Sequence, residues 1–170
     1  TYVEITGGTQ VISCLDCGTA FDTNSYAITL PTPFYFNGEN ITNVVMRVDG
    51  NLVLGTTALS SGSGPIAATT VASGVISALG MDLRNCTTAG VNWEMRWEEV
   101  GSEYVFQWKN AARYAQNVEQ LNFQIRVNKT SGLINVVYGD MLNVTTSTTY
   151  QPQVGLRGSV NTDYNNRRLT

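Results

Sequence analysis

Residues 92–110 alternate with a period of two on both sides of a glycine turn. Trp93, Met95 and Trp97 alternate with Glu94, Arg96 and Glu98. After Gly101-Ser102, Tyr104, Phe106 and Trp108 alternate with Val105, Gln107 and Lys109. Successive side chains of a strand point to opposite faces, so this spacing predicts a hairpin with an aromatic face and a charged face. The aromatic face reads as core and the charged face as solvated.

Short strand signals recur along the rest of the chain. Tyr2 to Thr6 alternates and ends at Gly7-Gly8, and Thr9 to Ser13 is a second short candidate. Tyr26 to Leu30 stops at Pro31, and Phe34-Tyr35-Phe36 leads into the turn Asn37-Gly38. Asn43 to Val48 and Leu52 to Leu54 flank Asp49-Gly50, a strong hairpin signal. Residues 55–74, rich in Gly, Ser, Thr and Ala, read as a long mobile loop with nothing to anchor a core. Val75 to Leu83 reads as a strand, because Gly74, Gly80 and the β-branched residues argue against a helix. Leu121 to Val127 and Leu133 to Tyr138 form a further hairpin, Gln153 to Leu156 a last strand, and residues 161–170 a polar tail. No long segment has helical periodicity. Ten to twelve short strands in one 170-residue domain predict an all-β, two-sheet antiparallel sandwich or jelly roll.

Composition narrows the function. Charged residues are 14% of the chain, against about 25% in an average domain. The net charge is -3 and no basic run exceeds Arg167-Arg168. Nucleic acid needs clustered cations, so it is excluded as a partner. No apolar stretch reaches the ~18 residues of a membrane span. There is no leader pattern at Thr1, so any signal peptide is expected to have been removed or to lie upstream. Three cysteines are present: Cys14, Cys17 and Cys86. A disulfide in an oxidising compartment is the leading reading, with the pairing open between Cys14–Cys17 and a bond from either to Cys86. Zinc lacks a fourth ligand in a chain without histidine, and a thioredoxin-like pair lacks its α/β context.

The absence of histidine also removes Ser-His-Asp and Cys-His chemistry. Glu94-x-Arg96-x-Glu98 keeps the outer acids of the Glu-x-Asp-x-Glu strand of laminarinase-type sandwiches, but Arg96 replaces the middle one. Residues four apart on a strand are about 13 Å apart, beyond the ~5 to 9.5 Å that paired glycosidase carboxylates need. The chain is therefore read as non-catalytic. Tyr114, Tyr150 and Tyr164 lie in polar, loop-like surroundings and are candidate ligand-binding residues. Asp49 is a candidate calcium ligand. Asp163, with Asp140 and Asn165, could add oxygens toward the six to eight that calcium takes. Arg157, Arg167 and Arg168 could face acids of a neighbouring domain.

The order of motifs resembles one known family. Leu30-Pro31-x-Pro33-Phe34-Tyr35-Phe36-Asn37-Gly38 is followed by Val48-Asp49-Gly50-Asn51-Leu52, then by Tyr104-Val105-Phe106-Gln107-Trp108-Lys109-Asn110. Phe123-Gln124-Ile125, Ser131 to Gly139, Val154 to Gly158 and Asp163 to Arg167 complete the series. The series is similar to a β-sandwich module of large secreted bacterial proteins. That module often precedes fibronectin type III repeats and a type IX secretion sorting domain, and is distantly similar to the extracellular domain of nidogen. The family's paired aspartates stand here as Met81-Asp82, with Gly80 in place of the preceding aromatic. The resemblance implies a secreted or cell-surface location and points to adhesion or carbohydrate binding, with a glycan or a surface protein as ligand. The loops 55–74, 110–120 and 139–152 are the expected binding surface. A structural spacer or protein-interaction module is the alternative.

Overall fold

The computed structural model describes residues 1–17, 20–59, 64–146 and 151–168. Twelve strands run β1 (Thr9–Leu15), β2 (Ser25–Phe36), β3 (Glu39–Arg47), β4 (Asn51–Leu54), β5 (Gly74–Gly80) and β6 (Leu83–Asn85) in the first half. The second half adds β7 (Asn92–Val100), β8 (Glu103–Arg113), β9 (Gln120–Asn128), β10 (Ile134–Leu142), β11 (Gln153–Arg157) and β12 (Tyr164–Arg168). They form two antiparallel sheets. Sheet A is ordered β1-β7-β8-β9-β10, with β6 also pairing β8; sheet B is ordered β12-β11-β5-β4-β3-β2. The all-β sandwich expected from the alternation is the fold observed.

The hairpin at 92–110 forms in register, with Met95 opposite Trp108 and Trp97 opposite Phe106. Trp93, Tyr104, Phe106 and Trp108 are fully buried, and they pack with Met46, Leu52, Leu54 and Ile76 of sheet B. Each such side chain contributes about 1.5–3 kcal/mol on burial, so this inter-sheet layer dominates the stability. Trp108 also donates its indole N–H to the carbonyl of Arg47 at 2.8 Å, tying the sheets together.

Several expectations are corrected. Pro31 does not end a strand: β2 runs through it for 12 residues. β2 is the sheet edge and its register shifts between Thr29 and Phe34, so the missing proline N–H costs no central ladder bond. The stretch 75–83 is cut at Met81-Asp82, where the chain leaves sheet B and enters sheet A as β6. The polar tail supplies a strand, β12, which pairs with β11. At the β3–β4 turn Gly50 has φ +74, and its N–H donates to Arg47 O. This is a three-residue loop that only glycine closes without strain.

Each outer face is covered in part. Tyr2 to Gly8 is not a strand but an extended strap across sheet A, above Glu94, Gln107 and Gln124. The face expected to be solvated is therefore buried at its centre: Gln107 and Gln124 are fully enclosed and Glu94 is 8% exposed, while Arg96, Glu98 and Lys109 stay partly exposed. On sheet B, Leu59, Ile66 and Ala72 of the β4–β5 connection pack on Val45, Val53 and Val75 as a second apolar cluster. That corrects the reading that nothing in 55–74 anchors a core. Isolated small apolar residues carry no periodicity, so the pattern gave no sign of it.

Candidate functional site

Strand register places three carboxylates at one end of the sandwich. Asp22 precedes β2, Asp49 lies in the β3–β4 turn, and Asp82 lies between β5 and β6. Their oxygens approach within 4.8 Å of one another. Asp49 is buried. It accepts from the N–H of Leu83 at 3.2 Å and from the Arg47 guanidinium at 3.1 Å. Burial pushes its pKa up to about 6, against the pull of those two donors. Asp82 is raised as well, first by burial and then by its hydrogen bond to, and repulsion from, Asp22. Among the described residues Arg47 is the one cation paired with the group. Asp49 and Asp82 therefore hold their protons more tightly than free aspartates, and a second counter-charge at the group would favour their ionised forms. An all-oxygen donor set suits a hard cation such as calcium.

Beside this triad two loops are locked together. The Arg113 guanidinium pairs with Glu119 through several contacts, and both side chains are buried. Arg113 also donates to the carbonyl of Thr145 at 2.6 Å, and Asn143 donates to that of Val118 at 3.3 Å. Burial alone raises the Glu119 pKa. The Arg113 guanidinium and the N–H groups of Thr145 and Arg113 outweigh it and hold the carboxyl below the ordinary glutamate value. On this clamped surface Tyr114, Val118, Leu142 and Val144 stand 46%, 53%, 49% and 51% exposed. The Arg84 guanidinium lies over the Tyr114 ring, and the Tyr114 N–H donates to the Asp82 carbonyl at 3.0 Å.

The other sequence candidates are dispersed. Tyr164 and Asp163 line a cleft of about 320 Å³ at the opposite end, with Phe36 and Asn37; the Asn37 amide donates to Asp163 at 3.3 Å. Asp140 lies beside the strap on sheet A. Neither Asp163 nor Asp140 joins Asp49; its carboxylate neighbours are Asp22 and Asp82. Tyr150 falls outside the described residues. Of the three expected loops, 110–120 and 139–146 meet. Residues 55–59 leave from the other end and return over sheet B, where Leu59 O accepts from Arg47. Nothing local in the sequence marks Asp22, a lone aspartate 27 residues from Asp49.

Cys14 and Cys17 form the disulfide, and Cys86 is free and buried. Glu94 and Glu98 both hold structural partners: Arg96 grips both Glu94 oxygens at 2.8 and 2.9 Å, and Glu98 accepts from the Gly7 N–H at 3.2 Å. No helix among the described residues is long and apolar enough to cross a membrane.

A family model described as NIDO related, that is nidogen-related, matches residues 1–170. No curated protein and no solved structure matches the chain.

Proposed function

Since the chain belongs to the nidogen-related family, a non-enzymatic module type, we propose that it is an extracellular adhesion module. Its ligand is a carbohydrate or a protein of a surface, held by the loops at the triad end. The carrying observation is the Arg113–Glu119 pair, which joins two loops into one ordered platform bearing Tyr114, Val118 and Val144. Pre-ordered loops lose little entropy on binding, and half-exposed aromatic and aliphatic side chains supply the contact. The disulfide and the family both fit an extracellular setting. The motif order adds the bacterial, type IX-secreted context. Calcium belongs to the same reading, with Asp22, Asp49 and Asp82 as the ligands this chain offers.

The test is a glycan-array and surface-protein binding screen on the chain, run in calcium and in chelator. Saturable binding that Tyr114→Ala and Val118→Asp abolish without lowering Tm supports the reading. Loss of that binding in chelator, reproduced in calcium by Asp22→Asn with Asp82→Asn, assigns the cation to the triad. No binding in either condition favours the alternative, a spacer that holds neighbouring domains apart. Hydrolysis of any bound glycan would overturn the non-catalytic assignment.

A further inference from the structure

The strap on sheet A is held in an unusual way for a β protein. Residues 2–7 make no strand ladder. Side chains of the sheet serve their backbone instead. Gln107 accepts from the Ile5 N–H at 2.9 Å and donates to the Ile5 carbonyl at 3.1 Å. Gln124 donates to Val3 O at 2.7 Å. Arg96 donates to Gly7 O at 2.8 Å, and Glu98 accepts from the Gly7 N–H. Gln124 also bonds Gln107 at 2.8 Å, and Arg126 bonds Gln124 at 3.0 Å, so both amides are pre-oriented. A face that reads main-chain N–H and C=O groups recognises an extended peptide whatever its side chains. The strap adds two side-chain anchors: Ile5 is buried, and Glu4 pairs with Lys109 at 2.6 Å.

We propose that this face is a docking groove for an extended segment, and that residues 2–7 of a second copy can occupy it in exchange for the chain's own. The observed strap shows what the groove takes, and a second copy offers the same backbone and the same anchors. Two features make the segment exchangeable. What it would leave behind is mostly polar, namely Gln107, Gln124, Glu94, Arg96 and Lys109 with Val105 beside them, so most of the vacated face can be hydrated. Its connection to β1 is Gly7-Gly8, with Gly8 at φ +65, a pivot with little resistance to redirection. Exchange of an identical element needs no new contact. The chain's own strap competes at an effective concentration on the order of mM, so exchange is favoured where copies are crowded, as on a surface. The proposal does not depend on the adhesion reading.

Cysteine trapping in the full chain tests it. Glu4→Cys and Lys109→Cys in one chain should be joined internally by a short bis-maleimide, because the parent contact is an ion pair between two long side chains and a direct disulfide needs Cα atoms within about 7 Å; failure to join them overturns the seat of the strap and the proposal with it. Glu4→Cys in one chain and Lys109→Cys in another have no internal partner once the free Cys86 is replaced by alanine in both. When mixed at high concentration with the same reagent they should cross-link several-fold faster than Glu4→Cys mixed with Thr42→Cys, an exposed position on sheet B. Gln124→Ala on the Lys109→Cys chain should lower that rate. Equal rates for the two mixtures at every concentration would overturn the exchange.

Discussion

Tyr104 of sheet A serves both backbone groups of Thr32 in sheet B: its hydroxyl accepts from the Thr32 N–H at 2.9 Å and donates to the Thr32 carbonyl at 2.7 Å. Thr32 lies between Pro31 and Pro33, inside the register break of β2. Neither of its groups pairs with β3 there, so the opposite sheet supplies the partner. Tyr104→Phe keeps the ring and its packing on Trp97 but strands both groups. Thr32 is itself exposed, so the loss is that of ordinary hydrogen bonds, about 0.5–1.5 kcal/mol each. Urea unfolding should show a lower midpoint with an unchanged slope. An unchanged midpoint would mean that water replaces the hydroxyl.

The clamp between Arg113 and Glu119 should make stability acid-sensitive. The folded-state pKa of Glu119 lies below the ordinary 4.5, so the unfolded chain takes up the proton first. The contribution is complete above pH 4.5 and is lost as pH falls through the lowered folded-state value. Glu119→Gln should cost about 3 kcal/mol at neutral pH by leaving a buried guanidinium without its anion. The gap to the parent chain should narrow below pH 4.5. Thermal melts of both chains from pH 7 to 3 measure it, and a constant gap would contradict the assignment.

Arg157 latches the β4–β5 connection to sheet B. It is 1% exposed and donates to the carbonyls of Ala68 and Thr70. Among the described residues no carboxylate pairs with it, and burial alone pushes its pKa down. Arg157→Met removes the bonds and a desolvated charge together, so the two effects offset. The expected net loss is at most about 2 kcal/mol. The clearer readout is local: proteases should cut within residues 64–73 much faster, while near-ultraviolet circular dichroism of the tryptophan core stays unchanged.

Reduction of Cys14–Cys17 should cost little. The bond closes a separation of three residues, and chain-entropy arguments assign such a short loop about 2 kcal/mol at most. The fold should persist in reductant with Tm lowered by several degrees. Collapse to an unfolded chain would show that the bond organises more than its own turn.

The amino-acid pattern by itself determined the class of fold and most of the strands. Period-two alternation at 92–110 and turns such as Asn37-Gly38 and Asp49-Gly50 act over a few residues, and local sterics and burial suffice to read them. The absence of histidine likewise closed off Ser-His-Asp and Cys-His chemistry without coordinates. Tertiary structure alone decided what covers the sheets and which acids meet. Gln107 looked like an outward polar residue, yet it is enclosed because a segment 102 residues away lies over it. Asp22, Asp49 and Asp82 come from three separate connections. Their meeting is set by strand order and register, which arise from contacts distant in sequence and leave no periodic mark on the chain.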